Sequence, residues 1–101
     1  MKNIIQVNNK THLKQLIEQE IKENGFNCSL NHLDVSSITD MSRLFKNSQF
    51  NGDISLWDTS RVNNMKAMFF LSRFTDDISK WNTSSVVNLR SLVPSTRVQT
   101  R

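Results

Sequence analysis

Polar side chains that could do chemistry recur in this chain at a spacing of 24 residues. Asp34, Asp58 and Asn82 form one such column, and Asp53 and Asp77 form a second. Carboxylates held close together can bind a divalent cation or share a proton. The same residues can instead accept hydrogen bonds that hold a tight turn. The neutral Asn82 in the first column favours the structural role, because it limits repulsion between stacked acids.

The remaining candidates for chemistry are two histidines and one cysteine. Neither His12 nor His32 has a cysteine or carboxylate at metal-ligand spacing. The single Cys28 excludes an internal disulfide framework, and it aligns with Gly52, which predicts a small packing residue. No glycine-rich phosphate loop and no nucleophile–base pair is recognisable. We therefore predict that the protein is not an enzyme and has no cofactor and no metal site.

An internal repeat must position these residues. Residues 34–57 and 58–81 are identical at 10 of 24 positions without a gap, and residues 82–93 begin a third copy. A fixed period of this length is typical of stacked supersecondary units, each too small to bury an apolar face alone. Matching apolar positions should therefore cover one another. They are Ile38/Val62/Val86, Met41/Met65/Leu89, Leu44/Met68/Leu92, Phe45/Phe69/Val93, Phe50/Phe74, Ile54/Ile78 and Trp57/Trp81.

The first third of the chain has a different pattern, which predicts a cap. Residues 2–7 read as a short strand rich in β-branched residues. A helix of about 13 residues follows, with Thr11 as its N-cap and Gly25 at its C-terminus. Residues 26–34 align with residues 50–58, so residues 10–33 are a diverged first repeat. A polar terminal unit of this kind shields the end of a stack from water.

Within each repeat we predict a short strand, a turn and a short helix. Ile38, Met41 and Phe45 fall at i, i+3 and i+7, which places one apolar stripe on a helix of about two turns. The predicted fold is a small α/β right-handed solenoid of short strands and short helices with an N-terminal strand–helix cap. It forms one domain over residues 1–101: cap and diverged repeat 1–33, repeats 34–57 and 58–81, partial repeat 82–93, and basic tail 94–101.

The signature from Phe50 to Phe69 resembles the BspA-type leucine-rich-repeat family, also described as the DUF285 or Mycoplasma-lipoprotein-type repeat. In this chain it reads Phe-Asn-x-Asp-Ile-Ser-x-Trp-Asp-x-Ser-x-Val-x-x-Met-x-x-Met-Phe, and the likeness covers roughly residues 26–93. Members are mostly bacterial surface or secreted proteins, with others in protists and large viruses. The resemblance implies that the solenoid is of the leucine-rich-repeat type, and it implies adhesion or protein binding. This chain is short and shows no secretion or lipid-anchor signal.

The distribution of charged residues along the chain limits the classes of partner that the protein could bind. The net charge is +4, and it arises from a C-terminal excess of cations: Lys80, Arg90, Arg97 and Arg101. A nucleic-acid partner for this segment is one hypothesis, but four charges without interleaved aromatics are a weak signal. No apolar run is long enough for a membrane span, and the apolar segment at the N-terminus is too short for a secretory signal. We therefore expect a cytoplasmic protein without a membrane partner.

The second repeat departs from the first at two positions that could bind a partner. Phe70 and Leu71 replace Lys46 and Asn47. If these positions face solvent, they form an apolar patch with basic neighbours, typical of interfaces. The alternative is that they pack beneath the C-terminal tail on Val98. The predicted partner-binding residues are Lys66, Phe70, Leu71, Arg73, Arg90 and Arg97.

Two further alternatives concern aromatic residues and the end of the stack. Trp57 and Trp81 could form a ligand-stacking face, although their repeat-invariant positions favour the core. The third copy stops at Val93, which predicts an open C-terminal edge available for self-association. We predict a non-catalytic protein–protein interaction module, such as a stoichiometric inhibitor or adaptor. A nucleic-acid-associated protein and a fragment of a surface adhesin array are the alternatives.

Overall fold

The N-terminal segment of the computed structural model forms a strand–helix–strand unit beside the repeats. The structure describes residues 3–89. Strand β1 (Ile5–Gln6), helix α1 (Lys10–Asn24) and strand β2 (Leu33–Asp34) follow one another along the chain. β1 and β2 pair in parallel, with Ile5 opposite Leu33. Parallel neighbours need a crossover connection, and α1 supplies it.

Helix α1 begins earlier than the sequence predicts. Asn9, and not Thr11, is the N-cap, because the Asn9 side chain accepts the backbone N–H of His12 at 2.9 Å. Thr11 lies inside the first turn, so its predicted capping role is wrong. At the other end Gly25 has φ of 88° and its N–H donates to the carbonyl of Ile21, as a glycine C-cap should.

Beyond the cap, residues about 24 positions apart are neighbours. The Met41 N–H donates to the carbonyl of Asn64, and the Met65 N–H repeats this bond to Asn88, both at 2.9 Å. Isolated parallel bridges join Asp40 to Asn64 and Asn64 to Asn88. Successive copies of the repeat therefore lie side by side and share backbone hydrogen bonds, which satisfy groups that no single copy could pair.

The apolar segments of the repeats are turns, so the predicted repeat helices are wrong for the described residues, where α1 is the one α-helix. In the first copy the N–H groups of Arg43, Phe45 and Asn47 donate to carbonyls of the next copy. Arg43 and Asn47 also have φ of 59° and 61°, outside the helical region. An α-helix would use every N–H internally. Here alternate N–H groups are used for stacking instead.

The core is a column of aromatic and aliphatic side chains that runs through the copies. Phe45 stacks on Phe69 with 5.6 Å between ring centroids, and Trp57 stacks on Trp81 at 6.3 Å. Each indole N–H is also satisfied, because Trp57 donates to the carbonyl of Leu30 and Trp81 to that of Ile54. Both tryptophans are buried. They belong to the core, and the ligand-stacking alternative does not apply.

Gly52 lies at a close contact between the cap and the first repeat. A Cβ at this position would stand 1.8 Å from the carbonyl oxygen of Cys28 and 2.8 Å from the Phe50 ring. Cys28 itself is half-buried and packs against the core, as predicted for a small packing residue. Cys28 and Gly52 therefore hold equivalent positions in two successive copies, and the position of Gly52 has no room for a side chain.

Candidate protein-interaction surface

Residues 66–71 and their counterparts 42–47 form one continuous surface of turns. In both copies the inward side chains are buried, whereas Lys46, Asn47, Phe70 and Leu71 face outward. Phe70 is 38% exposed and Leu71 is 65% exposed. At these two positions the polar pair Lys46 and Asn47 of the first copy is replaced by an apolar pair in the second. Their exposure places an apolar patch on the outside of the stack.

Four cationic side chains belong to the two segments that carry this patch or lie opposite it. Residues 41–52 and 65–75 contain Arg43, Lys46, Lys66 and Arg73 and no carboxylate. Lys66 is half-buried and the other three are exposed. None of the four forms an ion pair with another residue in the described part of the chain. We call this surface, Arg43, Lys46, Lys66, Phe70, Leu71 and Arg73, the basic face.

Backbone pairing fixes the geometry of the basic face. The Asn47 N–H donates to the carbonyl of Phe70 at 2.9 Å, and the Arg73 N–H donates to that of Ser48 at 3.0 Å. The Lys46 Nζ consequently lies 5.9 Å from the centroid of the Phe70 ring, within range of a cation–π contact. The patch is thus held on a paired backbone and not on a free loop.

The structure brings together four of the six predicted partner-binding residues. Lys66, Phe70, Leu71 and Arg73 lie on one run of the second copy. Arg90 and Arg97 lie outside the described residues. Sequence reasoning missed Lys46 and Arg43. The repeat register could have found them, because Lys46 is the counterpart of Phe70 in the first copy and Arg43 is the counterpart of Ala67.

The aspartate columns hold turns. Asp34, Asp53, Asp58 and Asp77 each accept the backbone N–H two residues later at 2.8–3.0 Å. Asn82 does the same for Ser84 without a charge. Within residues 3–89 no group of three or more His, Cys, Asp or Glu is placed to hold a metal ion. The turn-holding role explains these residues.

These hydrogen bonds also set the charge state of the carboxylates. The Ser55 backbone N–H and hydroxyl both bond to Asp53 and hold its pKa below the usual value. Ser79 lowers the pKa of Asp77, and Ser60 lowers that of Asp58, in the same way. Donors that favour the charged form depress a carboxyl pKa. The columns are therefore ionised at neutral pH.

A second group of charged side chains lies in the segment that follows in each copy. It contains Asp53, Asp58, Asp76 and Asp77, with Arg61 near Asp58 and Lys80 near Asp77. Between them Leu56 is 76% exposed. A cavity of about 210 Å³ is lined there by Asp53, Ser55, Leu56, Asp76, Asp77 and Lys80. We call the four aspartates together with Leu56 the acidic flank.

The histidines, the C-terminal cations and the C-terminal edge have other surroundings. The Nε2 of His32 lies 3.0 Å from a carboxylate oxygen of Glu20, which joins α1 to the first turn of the stack. Lys80 is near enough to Asp77 to favour its charged form. Val86 and Leu89 are half-buried against the core. Leu92, the remaining C-terminal cations and Val98, the proposed cover for Phe70, lie outside the described residues.

Comparison with known proteins identifies the family. A family model described as "Mycoplasma protein of unknown function, DUF285" matches residues 7–99. The match spans nearly the whole chain, so the chain belongs to this family, as the repeated signature indicated. No curated protein and no solved structure matches the chain. Within residues 3–89 no helix is both long and apolar enough to cross a membrane.

Proposed function

We propose that this protein is a non-catalytic protein-interaction module whose basic face binds a partner. The proposed architecture is a small leucine-rich-repeat-like solenoid, supported by the backbone and ring contacts between residues about 24 positions apart. Its repeats stack through turns, and α1 lies in the N-terminal cap. A module of this kind acts by occupying a surface of its partner, as an inhibitor or an adaptor does.

Leu71 is the observation that supports this proposal most strongly. It has φ of 55° and is 65% exposed. The first copy places Asn47 at the same position with φ of 61°, and asparagine tolerates this conformation better than other side chains. A leucine there costs about 1 kcal/mol of strain and recovers little of it through burial. We attribute the leucine at this position to a contact with the partner.

The composition of the basic face fits an interface. Aromatic residues and arginine are enriched where proteins meet, and the strongest contributions come from apolar anchors that become buried. Phe70 and Leu71 are adjacent apolar anchors, and Arg73 and Lys66 lie on the rim. Unpaired cations on the rim add attraction for an acidic partner and speed its approach.

The test is a double substitution, Phe70→Asp with Leu71→Lys, which removes both anchors and leaves the buried side of the turn unchanged. Tagged wild-type chain is used to capture partners from the cells that produce it, and the affinity of each captured protein is then measured by titration. We expect the double variant to bind at least about tenfold more weakly, because apolar hot spots contribute about 2 kcal/mol or more.

Val87→Asp is the matched control, because Val87 is 88% exposed and lies away from the basic face in the third copy. Its affinity for the captured protein should equal that of the wild type. Circular dichroism and thermal unfolding establish that both variants are folded. A folded Phe70→Asp, Leu71→Lys variant with wild-type affinity for every captured protein would contradict the proposed role of the basic face.

A further inference from the structure

A cavity of about 240 Å³ lies between helix α1 and the turns of residues 42–47. Its floor is apolar, because Ile17 of α1 and Leu44 and Phe45 of the turns are buried there. Its charged lining residues are exposed, and among the described residues they are three cations and one carboxylate: Lys14, Arg43, Lys46 and Glu18. The cavity therefore combines an apolar floor with a rim of net positive charge.

The cations of this rim have no acidic partner in the described part of the chain. None of the three forms an ion pair there, and Glu18, one helical turn after Lys14, does not pair with any of them. A nearby contact of the same helix is different, because the Lys10 Nζ lies 3.7 Å from the Asp40 carboxylate of the first copy. The rim thus leaves a net attraction for an anion.

The cavity and the apolar patch of the basic face are neighbours. Lys46 belongs to both, because it lines the cavity and its Nζ lies 5.9 Å from the centroid of the Phe70 ring. The Asn47 N–H donates to the carbonyl of Phe70 at 2.9 Å and pairs the two copies at this point. Leu71 follows directly and is 65% exposed. One short segment of a partner can therefore contact the cavity and the patch together.

We infer that the partner of the basic face is an acidic protein segment, with one carboxylate side chain in this cavity and a neighbouring apolar side chain on Phe70 and Leu71. The inference rests on the proposed function, because it names the chemistry of the partner of the same surface. The methylene stem of an Asp or Glu side chain can pack on the apolar floor. Its oxygens then accept charge-assisted hydrogen bonds from Arg43 and Lys46.

The same features favour a protein over a nucleic acid. Binding along a nucleic-acid backbone typically uses about six to ten phosphate contacts. The cavity and the basic face together supply five cations, of which Lys66 is half-buried. The adjacent anchors Phe70 and Leu71 match an apolar side chain, which proteins supply and a phosphate backbone does not.

The test is an NMR titration of the isotope-labelled full chain with a synthetic peptide, Glu-Glu-Leu-Phe-Glu-Glu. The matched control peptide, Gln-Gln-Leu-Phe-Gln-Gln, has the same apolar centre without the carboxylates. We expect the acidic peptide to shift the amide signals of residues 43–48 and 66–73 and to bind at least about fivefold more tightly than the control. At about 1 M salt, where charges are screened over about 3 Å, this advantage should be lost.

Removal of charge locates the site within the chain. Glu18→Gln removes the carboxylate of the rim and should strengthen binding of the acidic peptide about threefold. Asp58→Asn is the matched control in the acidic flank, because it makes the same charge change away from the cavity lining and keeps the turn acceptor that Asn82 supplies in the third copy. It should leave the affinity unchanged.

Charge reversal gives the opposite effect. Lys46→Glu should weaken binding of the acidic peptide about tenfold, because it replaces a cation of the rim with an acid. Lys22→Glu on α1 makes the same change outside the cavity lining and should have no effect. The amide spectrum of each variant also reports whether it is folded.

Every other outcome counts against the inference. It is overturned if millimolar acidic peptide shifts none of these signals at low salt, or if the two peptides bind equally. Equal effects of Glu18→Gln and Asp58→Asn would show a response to net charge and refute the cavity. Tighter binding of a single-stranded oligothymidine than of the acidic peptide at the same salt would make the partner a nucleic acid.

The failure of this inference differs from that of the proposed function. A captured protein whose binding depends on Phe70 and Leu71, but not on Lys46, Glu18 or salt, would refute the acidic partner and leave the proposed function in place. Wild-type affinity of Phe70→Asp with Leu71→Lys for both the peptide and every captured protein would refute the basic face as an interface.

Discussion

The two turn runs, residues 42–47 and 66–71, have the same backbone and different outer surfaces. Both place a positive φ at the second and the sixth residue: Arg43 and Asn47 in the first run, Ala67 and Leu71 in the second. Both bury a phenylalanine at the fourth residue, Phe45 or Phe69. The outward pair is Lys46 and Asn47 in one run and Phe70 and Leu71 in the other.

The comparison separates what stacking requires from what it leaves open. Inward positions have to match, because each ring packs on its counterpart one copy away. Outward positions contact solvent, so the fold permits either polar or apolar residues there. The core does not require the replacement of Lys46 and Asn47 by Phe70 and Leu71, and we propose that this replacement serves a function of the outer surface.

The largest expected effect tests the inward half of this comparison. Phe69→Ala should destabilise the protein by about 3–5 kcal/mol, because the ring is fully buried and stacks on both Phe45 and Phe74. The adjacent Phe70→Ala should cost less, about 1–2 kcal/mol, since Phe70 is 38% exposed and makes one weak cation–π contact. Urea denaturation of both variants measures the difference. Similar losses would contradict the assignment of inward and outward positions.

A second prediction concerns a position that is too crowded for a side chain in the first copy and exposed in the second. Gly52→Ala should cost about 3 kcal/mol, since the new Cβ would clash with the Cys28 carbonyl. The equivalent residue of the next copy is the exposed Asp76. There the copies meet through a side chain, because the Thr75 N–H donates to Asn51 Oδ1. Asp76→Ala should therefore change stability by less than about 0.5 kcal/mol in the same denaturation experiment.

The smallest effect tests the strain at Leu71. Leu71→Asn gives the second copy the residue of the first and should stabilise the fold by about 1 kcal/mol, which raises Tm by roughly 4–8 °C. Leu71→Ala removes the apolar anchor but retains a side chain unsuited to positive φ, so Tm should rise less. Thermal unfolding of both variants measures the effect. If Leu71→Asn lowered Tm, leucine would contribute to folding, and the main support for the proposed function would be lost.

The 24-residue spacing of the repeat was the source of the correct predictions from the sequence. It identified Phe45 and Phe69, and Trp57 and Trp81, as stacked core pairs, and it identified Phe70 and Leu71 as departures. The helical interpretation of the repeats was wrong because the i, i+3, i+7 spacing of Ile38, Met41 and Phe45 also suits consecutive turns that face a core. The capping residue of α1 was misplaced by two positions, because both Asn9 and Thr11 have side chains able to cap.

The sequence by itself determined the period of this protein, the residues that face its core and the family to which it belongs, because identical side chains at equal intervals can cover one another only when copies stack. Only the tertiary structure decided the conformation of the repeats, since alternate N–H groups of one copy are satisfied by carbonyls of the next. It also decided which residues of different copies meet at the surface, because the chain returns to the same side once in each repeat and thereby brings Lys46 next to Phe70.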